Sequence, residues 1–364
     1  MIVLQVIAFA GGLAIVLMTI GSSLKTVILP RAVPTRIARL VFLWMRVIFD
    51  LRVGRSATYE RRDHVYAMYG PLSLLILLLV WILFILAGYT LMFWGLGRPP
   101  ATAFALSGSS IVTLGFEAPR DLPTTLLVLT EAWVGLVELA LLITYLPTIY
   151  GAFQRREALV SMLEVRAGAP PSGVTMLERF YRLHTLDHLS GEVWEAWEGW
   201  FVDVEETHTS LPALNFFRSP QPDRSWITAA GAVLDGAAIY TSSLDVVHDP
   251  HADLCIRAGY LCLRKIAGFF QIPYNAEPTA ADPISISREE FDQVFEQLRA
   301  DGLPMKPDPD EAWRGFLGWR VNYDDVLLAL AGLVQAPYAP WSSDRGKVRR
   351  TSARALIGLR HSRR

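Results

Sequence analysis

Residues 71–96 contain no charged side chain and are dominated by Leu, Ile, Phe and Trp. Crossing a bilayer takes about 20 apolar residues in a helix. Inside lipid only a helix or a closed barrel satisfies every backbone polar group. This one segment makes the chain a membrane protein and excludes a wholly soluble globule. Two further stretches qualify as spans. Residues 1–20 lack the basic start and small-residue cleavage site of a signal peptide and read as an uncleaved anchor. Residues 122–150 form the third span and carry two carboxylates, Glu131 and Glu138.

The chain has 364 residues, of which 52% are hydrophobic and 19% charged. That charged fraction falls below the roughly 25% usual for soluble domains. The deficit lies in the first 150 residues, and the remainder has the make-up of soluble protein. With 34 basic against 35 acidic residues the net charge is near zero, which gives no reason to expect a nucleic-acid partner. The distribution is uneven. Lys25 and eight arginines from Arg31 to Arg62 lie between the first two spans, against Asp50, Glu60 and Asp63. Arg155 and Arg156 follow the third span. Positive charge marks the cytoplasmic side, so the expected topology in a plasma (bacterial inner) membrane has the N-terminus outside and the C-terminal half cytoplasmic. Residues 34–53 are apolar but place Arg36, Arg39, Arg46 and Asp50 in one helical sector, the pattern of an amphipathic helix in the inner headgroup layer.

The outer connection, residues 97–121, is the most informative part. Pro99 and Pro100 suit the first turn of a helix. A short apolar and small-residue stretch follows, and then Thr113-Leu114-Gly115-Phe116-Glu117. A short helix between two spans, ending in Thr-aliphatic-Gly-aromatic, resembles the pore loop of the potassium-channel family, whose filter reads Thr-Val-Gly-Tyr-Gly. The resemblance covers about 80 residues. It implies an outer helix at 71–96, a pore helix and filter at 100–118 and an inner helix at 122–150. The fold class expected is an all-α membrane protein of this pore type, with an extra N-terminal span and a helical cytoplasmic domain. The resemblance further implies a homotetramer around a central axis, with K+ or another monovalent cation as the permeant ion and no other cofactor. Backbone carbonyls of Thr113 to Phe116 and the Thr113 hydroxyl would replace the ion's water shell. The chain departs from the family at Glu117, where the filter has its second glycine. Four Glu117 carboxylates would ring the mouth and favour cations without choosing potassium over sodium.

Ionisable residues inside a span are costly and are functional candidates by default. Glu131 and Glu138 are one heptad apart. Glu131 is a candidate brace behind the filter, and Glu138 a candidate for the water-filled cavity. Gly135 and Pro147 are candidate hinges of the inner helix. No ladder of arginines resembling a voltage sensor lies within a span.

After the third span, residues 154–167 continue as a charged helix and residues 169–173 break it. Residues 174–340 are patterned mostly as helices, including 176–200, 226–244, 252–272 and 288–300. Neither a glycine-rich phosphate loop nor a nucleophile elbow occurs in the sequence, so an enzyme is not expected. His184, His188 and Glu192, spaced by four, are a weak candidate for a metal on one helix face. The intervening residues lack the glutamate of a zinc protease, and no metal is expected. Trp194, Trp197 and Trp200 read as core or interface packing. Cys255 and Cys262, seven apart, read as thiols packed on one helix face. The tail, residues 345–364, is arginine-rich and, with the interfacial helix, is a candidate contact for anionic lipid headgroups. Two other readings stay open: a non-conducting pore relative that serves as membrane scaffold or sensor, and a membrane-anchored protein whose cytoplasmic domain binds a metal or ligand.

Overall fold

The structure is a computed structural model that describes residues 2–29, 35–53 and 59–345. In chain order its helices are α1 (Ile2–Val27), α2 (Arg36–Val53), α3 (Tyr59–Ala67), α4 (Tyr69–Gly95), α5 (Pro100–Ile111), α6 (Leu122–Ala167), α7 (Gly173–Arg182), α8 (Ala196–Ser210), α9 (Trp226–Ser243), α10 (Pro250–Phe269), α11 (Arg288–Ala300), α12 (Pro309–Arg320) and α13 (Asp324–Val334). The described residues contain no strand, only an isolated bridge between Leu244 and Met305. Three helical segments are long and apolar enough to cross a membrane: Ile2–Val27, Tyr59–Gly95 and Leu122–Ala167. Among the described residues the protein is therefore all-helical with three candidate spans. It divides into two compact units, Met1–Arg52 with Met68–Gly151, and Val53–Ala67 with Ala152–Arg364.

In the first unit α1 and α4 run antiparallel in close contact. A Cβ at Gly12 would overlap the Gly88 carbonyl oxygen, and one at Gly95 would overlap Gln5 and Phe9. Small residues are what let apolar helices approach this closely in lipid, where no hydrophobic force draws them together. Further along the same pair, Trp81 Nε1 donates to Ser22 Oγ at 3.3 Å. The span expected at residues 1–20 thus continues to Val27, because Ser22, Ser23 and Thr26 are buried and extend the contact face. Tyr69 OH donates to Phe42 O at 2.9 Å and joins the start of α4 to α2.

The second unit is built around α9, nearly all of whose residues are buried. Small residues admit its neighbours: a Cβ at Gly236 would strike Met176 of α7, and one at Gly231 would crowd Leu327 of α13. The centre of α9 carries Asp235, which accepts from Tyr323 OH at 2.8 Å and pairs with Arg320. Arg320 also bonds Asp324 at 2.7 Å and Trp341 O at 2.6 Å. A fully buried guanidinium is tolerable only with such a set of acceptors. The helix expected over residues 176–200 is interrupted: α7 stops at Arg182, a 3-10 turn covers Leu186–His188, and a π-helical turn covers Ser190–Glu195. Of the tail, only Arg345 lies among the described residues; it pairs with Glu290.

Candidate functional site

The connection between α4 and α6 folds back along α4. Pro100 sits at the first helical position of α5. Ser107 Oγ, near the far end of α5, lies 3.0 Å from Leu86 O. Leu86 lies about 14 Å along the axis from the end of α4 at Gly95, at 1.5 Å rise per residue. The chain thus descends as a helix beside α4 and returns through residues 112–121, which are not helical. The far end of the return is pinned by an Arg98–Asp121 ion pair and by Arg98 Nη2 donating to Thr124 Oγ1 at 3.1 Å.

The end of α5 sets the backbone of the return. Thr113 N–H donates to Ser110 O at 2.9 Å and Leu114 N–H to Ser109 O at 2.8 Å. These are the paired bonds of a Schellman motif, and Thr113 occupies its left-handed position, normally glycine's, at φ +55°. A β-branched residue held there costs about 1–3 kcal/mol and persists only where the surroundings impose it. Gly115, at φ +70°, is left-handed as well. Its N–H also reaches Ser109 O, at 3.4 Å, and Glu117 N–H reaches Ser109 Oγ at 3.3 Å. In a trans peptide the C=O points opposite to the N–H. Because the amides of 113, 114, 115 and 117 face the end of α5, the carbonyls of Val112, Thr113, Leu114 and Phe116 face away from it. Leu114 and Phe116 are exposed. Glu117 does not adopt a left-handed conformation; among the described non-glycine residues of this loop, only Thr113 does.

Helix α6 packs against α5, the helix that leads into this loop. Gly135 packs so close to α5 that a Cβ there would overlap the Ile111 carbonyl oxygen. Glu131, fully buried, has its Oε1 at 2.5 Å from Ser107 Oγ. The candidate brace therefore touches the helix that ends in the loop. Glu138 is only 2% exposed, and its Oε1 lies 2.6 Å from Ser23 Oγ of α1. Its carboxyl is directed into the packing of α1, α4 and α6, beside a cavity of about 20 Å3 that Thr26, Trp81 and Tyr145 help to line. This corrects the expected place of Glu138 in an open cavity. The spacing alone put both glutamates on one face, and Glu131 shows that face is the packed one. As far as Tyr145, the buried positions of α6 are Thr124, Glu131, Glu138 and Tyr145, a seven-residue series of polar side chains. Leu122, Leu126, Leu129, Trp133, Leu136 and Ile143 are exposed. Pro147 lies inside α6, and the helix continues through it.

No family model, curated protein or solved structure matches this chain.

In the second unit the candidate metal residues are not brought onto one helix face. His184 is a left-handed residue at φ +56° between α7 and the 3-10 turn. Glu192 bonds Arg166 at 3.1 Å, and its other oxygen lies 3.5 Å from His188 Nδ1. The reason is local: the Leu183–His184 turn ends the helix that the i, i+4 pattern assumed. Trp194, Trp197 and Trp200 are buried in the core, with the Trp197 and Trp200 ring centres 4.5 Å apart. Cys255 and Cys262 are buried on α10, and burial pushes the Cys255 thiol up from its ordinary range.

Ser107, Ser109 and Ser23 are site residues that do not stand out in the sequence. A signal was present, since hydroxyls within apolar helices mark interhelical hydrogen bonds. What it lacked was the partner helix.

Proposed function

We propose that this chain is one subunit of a homotetrameric, potassium-channel-like cation channel in the plasma membrane, with the second unit cytoplasmic. The observation that carries the proposal is that the backbone carbonyls of Val112, Thr113, Leu114 and Phe116 are turned away from α5 on a non-helical return loop beside a span. Non-helical backbone at membrane depth is tolerated only where protein buries it or water lines it. One copy leaves Leu114 and Phe116 exposed, and copies of the same loop around an axis supply both conditions. The exposed apolar face of α6 then has lipid or neighbouring copies against it. Thr113 and Gly115 are the filter positions whose left-handed backbone turns the carbonyls outward, and Leu114 and Phe116 lie between them. Glu117 contributes charge at the mouth. Glu131 and Gly135 hold α5 and α6 in register. Conduction is passive and driven by the electrochemical gradient, with Pro147 as a point where α6 lacks one backbone bond.

The test is current from purified protein in a planar bilayer with potassium on one side and sodium on the other. The expected result is cation current whose reversal lies toward the potassium limit, shifting further that way in Glu117→Gly. A reversal near zero reduces the reading to a nonselective cation pore. A second reading, the non-conducting scaffold, is favoured by one observation: the left-handed positions end at Gly115 and do not extend to Glu117. A confirmed tetramer that is silent both as wild type and as Glu117→Gly establishes that reading instead.

A further inference from the structure

The segment from Leu211 to Ser225, between α8 and α9, grips both chain segments of the second unit that continue toward candidate spans. On the extension of α6, Arg156 donates to Leu214 O at 3.0 Å and to Phe217 O at 2.8 Å. Farther along α6, Arg224 pairs with Glu164 and donates to Ser161 Oγ at 3.1 Å. Arg218 pairs with Asp63 of α3 and donates to Val334 O at 3.1 Å and Gln335 O at 3.3 Å.

Beneath this segment is a cavity of about 20 Å3. Four of the side chains that line it each bring one buried polar atom with no partner: Asn215 Oδ1, Ser219 Oγ, Arg224 Nε and Trp226 Nε1. Asn215, Ser219 and Trp226 are 1%, 7% and 2% exposed. Buried polar atoms are nearly always hydrogen-bonded, so four in one small space call for a shared partner. The space meets the roughly 10–15 Å3 that a water molecule needs.

The donor count identifies the occupant. Arg224 Nε and Trp226 Nε1 only donate. Asn215 presents its oxygen, because its Nδ2 is already committed to His208 O at 3.0 Å and Pro212 O at 3.1 Å. The Ser219 hydroxyl serves in either role. An anion would meet the Asn215 oxygen, and a metal cation would meet two N–H groups. Water satisfies all four, accepting twice and donating twice. We propose that this cavity is the seat of one internal water molecule, held by Asn215, Ser219, Arg224 and Trp226, which locks the Leu211–Ser225 segment onto α9. The proposal is independent of whether the chain conducts.

The experiment uses the full chain with 15N-labelled tryptophan in lipid nanodiscs; the Trp226 indole signal is identified by its loss in Trp226→Phe. The expected result is a cross-peak from that indole N–H to a long-lived water, insensitive to bromide. Ser219→Ala removes one of four partners, and the same cross-peak should weaken while the indole shift stays near its wild-type value. A shift that titrates with bromide identifies an anion and overturns the proposal. So does an indole with no water contact, since the four side chains then pair by rearrangement.

Discussion

Buried ionisable groups are handled in opposite ways in the two units. In the second, every buried cation among the described residues is surrounded by acceptors. Arg320 has Asp235, Asp324 and the Trp341 carbonyl, and Arg156 has Glu157, His208 and two backbone carbonyls. In the first unit Glu131 and Glu138 each meet one serine hydroxyl, and their second oxygens have no partner. In the second unit a complete polar knot holds helices that already share an apolar core. Between spans, burying apolar surface gives no drive for helices to associate. There the few polar contacts and the glycine approaches set register. Disrupting the first kind of site should unfold a domain, and disrupting the second should displace helices that stay folded.

The largest effect is expected at Arg320. Arg320→Met leaves Asp235 and Asp324 buried without their cation, a loss of about 3–5 kcal/mol typical of a broken buried pair. Thermal unfolding of the full chain should show the second unit melting early while the membrane unit's helicity persists. Loss of both together would break the comparison. Next is Gly135→Ala, whose Cβ has no room against the Ile111 carbonyl. Overpacking of this kind costs about 1–3 kcal/mol. On the proposed channel reading it should appear as lost oligomer on native gels and lost current, with helix content by circular dichroism unchanged.

The sequence carried the spans, the short helix at Pro100 and the helical second unit, because uncharged runs and 3.6-residue spacing are local properties. Helix α11 is matched to the residue, since Ser287 and Glu290 form a capping box readable in the chain. The partners of the candidate glutamates were not legible. Glu138 meets Ser23 across 115 positions of sequence, and no local pattern encodes that meeting. The metal face failed for a different reason: periodicity at His184 and His188 assumes a continuous helix, and the chain turns left-handed at His184. The strained Thr113 was hidden as well, because left-handed backbone at a threonine contradicts its propensity.

Acid should act on the second unit first. His208 is fully buried, and its imidazole is pushed well below the ordinary 6.5 by burial and by the Arg156 guanidinium. The folded state stays unprotonated where the unfolded chain takes up a proton. Stability is therefore intact above about pH 6.5 and falls as pH drops below it, by at most about 1.4 kcal/mol per pH unit. Equilibrium unfolding of the full chain followed by tryptophan fluorescence between pH 7 and 5 checks this. His208→Gln should flatten the slope. An unchanged slope would mean that another group governs it.

The smallest effect is expected at Glu131→Gln, and it sharpens the comparison most. Ser107 Oγ approaches both Glu131 Oε1 and Leu86 O, yet a hydroxyl has one hydrogen. Both contacts are hydrogen bonds only when the side chain at 131 donates to the serine, which then donates to the carbonyl. The amide introduced by Glu131→Gln supplies a donor of the same size, so stability should change by less than about 1 kcal/mol, near the net worth of one hydrogen bond. Oligomer and current should survive. Glu131→Leu offers neither donor nor acceptor and should weaken the α5–α6 register, with a larger loss of current than of helicity. If Glu131→Gln instead damages the protein as Glu131→Leu does, the carboxyl is required as a charge, and the first unit would be using its buried acid as the second unit uses its own.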